Sequence, residues 1–370
     1  MNNITIFNGP SYKFKEIIPN RDICTFLELV DEDDSDRRTY LHTVPGQNDI
    51  DNKEKEYIKN LIIYSTDYAS VNKHVILNFT NFLEKWEIEN IYVQNPPETL
   101  VNNLYKRNKN IKIINHEYKK IELDLIKKII NQFSFKIIGQ DSIKDELGAT
   151  LYQNLRMEEN KPLVVMLYGE SGVGKTESVK FIANLLEEDL FRKQFSMFQN
   201  EAYSTYLFGG KHNELSFAQE LLERKSNIIL LDEFDKSNNI FYSAFYQMFD
   251  EGILEDTNYK VNLQNSIIFC TSNYKTEDEI KKKLGEPIYS RFDSFIKFNS
   301  ISLESRRKII NIQFEREYLR LSDKEKEIID KYNGINEILD KLAKNNNNIR
   351  YMGNMLRKII YIIIIRELNK

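Results

Sequence analysis

Residues 163–176 read Leu163-Val164-Val165-Met166-Leu167-Tyr168-Gly169-Glu170-Ser171-Gly172-Val173-Gly174-Lys175-Thr176, an apolar run followed by a glycine-rich loop. An amphipathic segment with Val179, Ile182 and Leu185 comes next, so the pattern predicts a strand, a loop and a helix in that order. The loop matches G-x-x-x-x-G-K-[ST], in which backbone N–H groups surround phosphates, the lysine neutralises them and the hydroxyl binds Mg²⁺. Gly169 to Thr176 are therefore predicted to bind nucleotide phosphates, with Thr176 as a magnesium ligand.

A second apolar run ends in two carboxylates and reads Asn227-Ile228-Ile229-Leu230-Leu231-Asp232-Glu233. Taken alone, it could be a strand that runs out into solvent. Downstream of a phosphate loop, Asp232 is predicted to organise Mg²⁺, and Glu233 to be the base that polarises the attacking water. The two patterns together predict hydrolysis of a nucleoside triphosphate.

Bulk composition narrows the class of protein. The chain has 370 residues, which is room for two or three domains, and 41% of them are hydrophobic. The net charge of −4 creates no general attraction to DNA or to an anionic membrane. No secretory signal is visible, the two cysteines have no metal or redox spacing, and the longest apolar run, Ile359 to Ile365, is too short to span a bilayer. A globular, cytoplasmic protein without a membrane anchor is expected.

Residues 1–120 carry no pattern that we can connect to chemistry. Apolar runs at 61–64, 91–93 and 111–114 alternate with helical patterns, which predicts a small N-terminal α/β domain. The acidic segment from Asp31 to Asp36 lacks the alternate spacing and central glycine of a calcium loop, so a solvated acidic loop is expected there. Residues 121–135 are amphipathic and predict a helical linker.

The remainder of the chain predicts two further parts. Strand patterns at 163–168, 195–198, 227–232, 266–271 and 295–299 alternate with helices, which is typical of a parallel sheet with ligands at the carboxyl ends of its strands. This large subdomain is expected to cover residues 136–300. Helical patterns alone follow, at 303–321, 324–332, 335–343 and 350–368, and predict a small helical lid over residues 301–370.

Several ordered motifs carry a family resemblance. They are Ile138-Gly139-Gln140, the phosphate loop, Leu230-Leu231-Asp232-Glu233-Phe234-Asp235-Lys236, Thr271-Ser272-Asn273, Tyr289-Ser290-Arg291-Phe292-Asp293 and Asn348-Ile349-Arg350. In this order and spacing the chain resembles the AAA+ ATPases of the Clp type, the group that includes ClpX and ClpB. The resemblance runs from Ile137 to the C-terminus. It implies a P-loop NTPase core of α/β class with a C-terminal helical lid, and ATP with Mg²⁺ as cofactors.

The resemblance also implies roles for single residues. Ile137 and Ile138 would line the adenine pocket, and Gly139 next to them would be a nucleotide-binding residue. Asn273 would be the polar sensor that helps to position the attacking water, although an asparagine that caps a turn after a strand is an equally simple interpretation. Arg350 would be the second sensor, which reaches the phosphates from the lid of the same subunit.

Arg291 is the one residue of this set that is expected to act on the nucleotide of a neighbouring subunit. By resemblance it would be the arginine finger that reaches the γ-phosphate held by a neighbouring subunit, and the alternative is an ordinary surface arginine in a salt bridge. An arginine that acts in trans stabilises the charge that develops during phosphoryl transfer. It therefore implies a homo-oligomer, and six subunits are expected from the family.

The chain departs from the family in one segment. Clp unfoldases grip the threaded polypeptide with a Gly-aromatic-apolar-Gly loop, and residues 207–217 are shorter and lack this tetrad. Tyr206 and Phe208 are the aromatic residues that could substitute for it, or they pack in the core. The loop that docks a peptidase ring is not evident either. ATP hydrolysis is unaffected by these departures, but processive threading and a protease partner are not expected.

Three functions fit this pattern. One is remodelling of a protein client or adaptor that residues 1–120 select. The second is an ATP-gated assembly factor or switch. The third is a nucleic-acid loader or motor, which the acidic balance and the lack of a basic, aromatic-interleaved stretch disfavour.

Overall fold

The computed structural model describes residues 3–41, 55–107, 110–156, 161–197, 203–211 and 213–369. The elements of the N-terminal part are β1 (Asn3–Asn8), α1 (Ser11–Ile17), β2 (Ile23–Thr25), α2 (Phe26–Leu41), β3 (Tyr57–Ile63), α3 (Asp67–Ser70), α4 (Lys73–Leu77), α5 (Phe79–Leu83), β4 (Glu87–Gln94), α6 (Glu98–Arg107) and β5 (Ile111–Asn115). The next part contains α7 (Leu123–Lys136), α8 (Lys144–Arg156), β6 (Leu163–Tyr168), α9 (Lys175–Leu185) and β7 (Phe191–Gln194).

The second half of the chain continues this order. It contains α10 (Ser204–Phe208), α11 (Phe217–Leu222), β8 (Ile228–Asp232), α12 (Tyr246–Asp250), β9 (Ile253–Glu255), β10 (Lys260–Asn262), β11 (Ile267–Ser272), α13 (Glu277–Leu284), α14 (Glu286–Tyr289) and β12 (Ser294–Lys297). Four lid helices follow, which are α15 (Leu303–Tyr318), α16 (Asp323–Lys331), α17 (Ile335–Asn345) and α18 (Ile349–Leu368). Among the described residues, no helix is long and apolar enough to cross a membrane.

The chain packs into two compact units. The first combines Met1–Lys119 with Asn200–Asn227 and Ser243–Gln264, and the second combines Lys120–Gln199, Ile228–Tyr242 and Asn265–Lys370. The first unit is therefore built from three separate stretches of chain.

The first unit contains a five-stranded parallel sheet in the order β2-β3-β4-β1-β5. Ile4 and Ile6 of β1 face one core, and Phe7 faces another, where it stacks on Phe14. Burial on both faces is what parallel sheets require. β1 and β4 are neighbours whose onward connections run to opposite edges, because the chain goes from β1 to the β2 edge and from β4 to β5 at the other edge.

The prediction of an acidic loop at residues 31–36 is wrong, because this segment lies within α2. Phe26 and Leu29 are buried in the core, and Asp33 continues the same helical face at 7% exposure with an ion pair to Lys85. Asp31, Glu32 and Asp34 are exposed. Spacings of three and four residues put Asp33 on the buried face of the helix and these three acids on its solvent-facing side, so the acidic run belongs to an amphipathic helix.

The second unit contains a five-stranded parallel sheet in the order β12-β6-β11-β8-β7. All six residues of the interior strand β6 are buried, as its uninterrupted apolar run predicts. The α15–α18 helices have a core of their own, with Ile310, Leu342 and Leu356 among its buried residues. The predicted parallel α/β sheet and the helical lid are confirmed.

One predicted strand is misplaced. The strand expected at 195–198 lies at 191–194, and Phe195–Met197 forms a 3₁₀ turn instead. β7 is an edge strand whose residues alternate between half-buried and exposed, so most of its side chains are polar. Phe195 is fully buried against Phe234, with ring centroids 5.6 Å apart. The apolar signal came from this packing contact and not from a strand.

Candidate active site

A cavity of about 990 Å³ opens at the carboxyl edge of the second sheet. The phosphate loop from Ser171 to Thr176 forms part of its lining, and the carboxylates of Asp232 and Glu233 form another part. Asn273, which follows β11, and Arg350 of α18 also line it. Residues from the sheet and from the lid therefore surround one space, as expected for a ligand site in a parallel α/β sheet.

The phosphate loop depends on glycine at its first position. Gly169 follows β6 with φ of +136°, and a Cβ atom there would lie 2.3 Å from the carbonyl oxygen of Phe298. Helix α9 begins at Lys175, directly after the loop. The free N–H groups at the start of such a helix attract anions, so the loop and the helix form a phosphate site together.

Lys175 is held at the base of this loop. Its Nζ donates to the carbonyl oxygens of Gly169 at 2.7 Å and Glu170 at 2.8 Å, and to Oδ1 of Asn273 at 3.1 Å. Burial lowers the pKa of the Lys175 ammonium to about 8. The three oxygens around Nζ are neutral acceptors, so a bound phosphate would supply an anionic partner that favours the charged ammonium.

Asp232 ends β8 and is surrounded by donors. The Thr271 hydroxyl donates to its Oδ1 at 2.5 Å, and the Thr176 hydroxyl lies 3.3 Å from the same atom. On the other side, Nη2 and Nε of Arg192 donate to Oδ2 at 2.5 and 3.1 Å. The carboxylate is 6% exposed and is therefore fixed by three side chains from three different elements.

Glu233 has a backbone conformation that is uncommon for a residue with a side chain. Its φ is +54°, in the left-handed region, and its backbone N–H donates to the hydroxyl of Thr271 at 2.8 Å. Its Oε2 accepts a hydrogen bond from Nε2 of Gln194 at 3.2 Å. Backbone conformations of this kind cost free energy and concentrate at functional sites. The Thr271 hydroxyl thus orients Asp232 and Glu233 together.

The turn around Gly139 supports the phosphate loop. Gln140 is fully buried, and its Nε2 donates to the carbonyl oxygens of Val173 at 3.2 Å and Asn299 at 2.7 Å. Its Oε1 accepts from the N–H of Asn299 at 3.2 Å. This amide connects the loop to the chain after β12, while the preceding residues Ile137 and Ile138 line the cavity.

The donor set suits magnesium. The hydroxyl of Thr176 and the carboxylate of Asp232 are hard oxygen ligands, and Mg²⁺ is usually held by one or two carboxylates, substrate phosphates and water. Within the part of the chain that the structure describes, no group of three or more His, Cys, Asp or Glu residues could hold a metal by itself. A magnesium ion here would therefore depend on a bound nucleotide for most of its ligands.

Not every residue of the predicted site lines the cavity. Gly139, Gly169, Glu170 and Arg291 do not. Glu170 pairs with Nζ of Lys275 at 2.9 Å and accepts from the hydroxyl of Ser300 at 3.1 Å, and these hydrogen bonds lower its pKa. Arg291 donates to the carbonyl oxygen of Pro287.

Sequence reasoning gave no role to several polar residues of the lining. They are Arg192, Gln194, Thr271, Gln313 and Arg316. The alternation of Arg192 and Gln194 on an edge strand is a weak signal that both point the same way, and Thr271 lies two positions before Asn273. No local pattern distinguishes the lid residues.

Comparisons with known proteins agree with this geometry. Residues 160–328 match the family model of the AAA domain (Cdc48 subfamily). The chain is 28% identical over 265 residues to the chaperone protein ClpB of Malacoplasma penetrans, across 65% of this chain and 37% of that protein. Residues 160–328 are thus similar to the AAA domain, in agreement with the Clp-type resemblance of the sequence motifs. A second relative is the ATP-dependent Clp protease ATP-binding subunit ClpL of Staphylococcus aureus, 26% identical over 228 residues, or 55% of this chain and 32% of that protein.

Two solved structures have a similar fold. The closed state of Hsp104 with ATPγS and FITC casein matches with a TM-score of 0.55 at 15% identity, across 100% of this chain and 89% of that chain. The Hsp104–ADP complex of S. cerevisiae matches with a TM-score of 0.53 at 19% identity, across 67% and 40%. The chain spans only about a third of the length of the two curated relatives.

Proposed function

We propose that this chain binds ATP with Mg²⁺ in the cavity and hydrolyses it. The observation that carries the proposal is the convergence of Lys175, Thr176, Asp232, Glu233 and Asn273 on one space at the carboxyl edge of the sheet. The match to the AAA domain and the similarity to ClpB support the same activity. Ile137 and Ile138 would receive adenine, a preference that a comparison of ATP and GTP turnover would test.

Each residue of the site has a separate role in ATP binding or hydrolysis. Lys175 and the N–H groups of the loop bind the phosphates, and Thr176 with Asp232 would hold Mg²⁺, which neutralises charge that develops during phosphoryl transfer. Glu233 accepts a proton from the attacking water, and Asn273 helps to orient that water. Thr271 is a positioning residue, because it holds both carboxylate-bearing residues through its hydroxyl. Arg350 would contact the phosphates from the lid.

The oligomer is part of this proposal. Arg291 does not line the cavity of its own chain. Its positive charge is nevertheless of the kind that stabilises the negative charge of the transition state in phosphoryl transfer. A homo-oligomer, with six subunits by family resemblance, would place Arg291 of one subunit at the nucleotide of the next. The same charge in cis would come from Arg350.

The proposed use of ATP is the remodelling of a protein client or adaptor in the cytoplasm, selected by an N-terminal domain at residues 1–120. A likeness to Hsp104, solved together with casein, supports a protein client over nucleic acid. Neither a protease partner nor a membrane is part of the proposal. One observation favours the second candidate, an ATP-gated assembly factor or switch: residues 200–227, which include the shortened loop region, pack in the same unit as residues 1–119.

The substitution Glu233→Gln tests the hydrolytic step. It removes the base but keeps the shape of the side chain, so we expect ATP to bind normally and phosphate release to fall by about 10²-fold or more. Glu304→Gln is the matched control, because this exposed lid carboxylate pairs with Lys308 at 2.9 Å and should keep full activity. Equal turnover in the wild type and Glu233→Gln would show that Glu233 is not the base.

The Glu233→Gln variant also separates the candidate uses of ATP. A remodeller should retain client proteins when the full-length variant is loaded with ATP, and release them when it is loaded with ADP. A switch should change its assembly state between the two nucleotides without retaining a client. Recovery of DNA or RNA with a steep salt dependence would indicate a nucleic-acid loader instead.

A further inference from the structure

Glu223 makes an unusual set of contacts in the first unit. It follows α11, and five donors converge on its carboxylate. Its Oε2 accepts from the backbone N–H and the hydroxyl of Ser11, both at 2.8 Å. Its Oε1 accepts from the Ser65 hydroxyl at 2.7 Å, from Nε2 of Gln94 at 2.6 Å and from Nδ2 of Asn95 at 2.9 Å.

These donors lie in a buried, preorganised pocket and do not form a loose surface contact. Ser65, Gln94 and Asn95 are 3%, 0% and 1% exposed. Asn95 has φ of +43° and braces the turn after β1, since its Nδ2 donates to the carbonyl oxygen of Gly9 at 2.9 Å and its Oδ1 accepts from the Gly9 N–H at 2.8 Å. A Cβ atom at Gly9 would lie 2.5 Å from Cβ of His116. The polar groups are therefore held in place before any ligand is considered.

The donors of the pocket favour a ligand with a single negative charge. All five donors are neutral, and in the described part of the chain no lysine or arginine hydrogen-bonds to Glu223. A carboxylate has about four lone-pair sites, so five donors saturate it. A phosphate carries more charge and more oxygens, and protein sites for it usually add arginine or lysine. The pocket therefore fits a single carboxylate.

The pocket lies at the carboxyl edge of the first sheet, where parallel α/β sheets commonly bind ligands. Ser11, Ser65 and Asn95 come directly after β1, β3 and β4, at the carboxyl ends of three adjacent parallel strands. The onward connections of β1 and β4 run in opposite directions, and the crevice at such a switch point is where open α/β sheets bind ligands. In this protein, a side chain from residues 200–227 occupies that place.

We propose that this edge of the first sheet is a carboxylate-binding site, the carboxylate pocket, defined by Ser11, Ser65, Gln94 and Asn95, and that Glu223 is its tethered occupant. A carboxylate from another molecule competes with Glu223 for the same five donors. Only Arg224 to Asn227 separate Glu223 from β8, the strand that ends at Asp232. A ligand that replaces Glu223 removes the five hydrogen bonds that attach Glu223 to this edge of the sheet.

Chemical rescue tests the pocket in the full-length chain. Glu223→Ala removes four heavy atoms, which correspond to one acetate ion. We expect hydrogen exchange of peptides that cover residues 8–14 and 90–96 to become about tenfold faster or more, since the Ser11 N–H loses its acceptor. Acetate should restore slow exchange in this variant at concentrations on the order of 100 mM, because a free ion must match the effective concentration of a tethered one. Chloride at equal ionic strength should not.

Two controls separate rescue from a general salt effect. Glu223→Gln fills the same volume but turns an NH₂ group toward donors, so its exchange should be fast and should not respond to acetate. Glu251→Ala removes an acid that accepts from Gln247, and its exchange in these peptides should equal that of the wild type with and without acetate. Inorganic phosphate at the same ionic strength should not rescue Glu223→Ala.

Clear results would overturn the proposal. Exchange in Glu223→Ala that equals the wild type would show that the carboxylate does not close the pocket. Failure of acetate to slow it, or equal rescue of Glu223→Gln, would show that no carboxylate site exists, and equal rescue by phosphate would refute the selectivity. If Glu223→Ala does not fold, Glu223→Asp shortens the arm by one methylene, and its exchange must still be faster than that of the wild type.

Discussion

At the carboxyl edge of the second sheet, the full charges of Lys175, Arg192 and Asp232 lie beside an open cavity of about 990 Å³. At the carboxyl edge of the first sheet, neutral hydroxyl, amide and backbone N–H groups surround one carboxylate from the same chain, that of Glu223. Both sheets are parallel, and both edges collect polar groups from the ends of neighbouring strands. The two edges differ in the charge of their polar groups. They also differ in the source of the ligand, which is an external molecule at the second sheet and a side chain of the same protein at the first.

The difference follows from what each edge must do. A charged group without an anionic partner is costly when buried, and the lowered pKa of Lys175 records that cost. Such a site gains most when a highly charged ligand enters, which suits a nucleotide that binds and leaves. Neutral donors have a smaller desolvation cost and can be satisfied by a single carboxylate, from a side chain or from a ligand. The charged edge therefore needs a ligand from outside the chain, whereas the neutral edge holds a carboxylate of its own chain.

The largest expected effect is the loss of ATP turnover when the arginine finger from the neighbouring subunit is removed. Arg291→Ala should lower ATP turnover by about 10³-fold, with nucleotide affinity preserved, because the finger acts only in the transition state of a neighbouring subunit. Mixing Arg291→Ala subunits with Lys175→Ala subunits should restore part of the activity, since some junctions then pair an intact finger with an intact loop. Phosphate release by the mixtures measures this directly.

Arg307→Ala is the control for the arginine finger. Arg307 is an exposed lid arginine paired with Asp340 at 2.7 Å, and its loss should leave turnover unchanged. An active species that stays monomeric in light scattering at every ATP concentration would contradict an action in trans, as would mixtures that are no more active than their components.

A matched pair of hydroxyl deletions compares the two edges directly. Thr271→Val removes the hydroxyl that holds Asp232 and Glu233, and we expect turnover to fall by about 10- to 100-fold at nearly constant nucleotide affinity, as for other groups that orient a metal ligand. Ser65→Ala removes one donor to Glu223, and we expect the free energy of unfolding to fall by about 1–2 kcal/mol with turnover unchanged. Steady-state kinetics and denaturant unfolding distinguish these outcomes. Two variants with the same profile would refute the division of roles.

The smallest effect is a pH dependence at the charged edge. The pKa of Lys175 is about 8 in the free protein, and bound phosphate must raise it because it stabilises the ammonium. Between these two pKa values nucleotide binding takes up a proton, so affinity should fall above pH 8 by up to about tenfold per pH unit. Calorimetry in buffers with different ionisation enthalpies should detect this proton in the wild type and not in Lys175→Met. Identical proton uptake by both would assign it to another group.

Local patterns succeeded where one short stretch performs the chemistry. The phosphate loop uses the backbone N–H groups of consecutive residues, so its glycines, Lys175 and Thr176 must stand at fixed spacing. The strand that ends at Asp232 and Glu233 is visible for the same reason, as is the buried run of β6. Where a pattern has two causes the prediction was wrong: Phe195 is apolar because it packs on Phe234, and the acids after Leu29 belong to a helix.

The phosphate loop, the acidic strand end and the alternating α/β elements can be recognised from local sequence, because each of them is encoded by neighbouring residues. The side chains that complete these features come from distant positions and are visible only in the folded chain. Ser11 and Glu223 are 212 positions apart, and Gln94 and Glu223 are 129 apart. Serine, glutamine and asparagine are common in any loop, and they become a site only because strand order brings the ends of β1, β3 and β4 side by side. Strand order is a property of the whole folded chain, so no local spacing can reveal it.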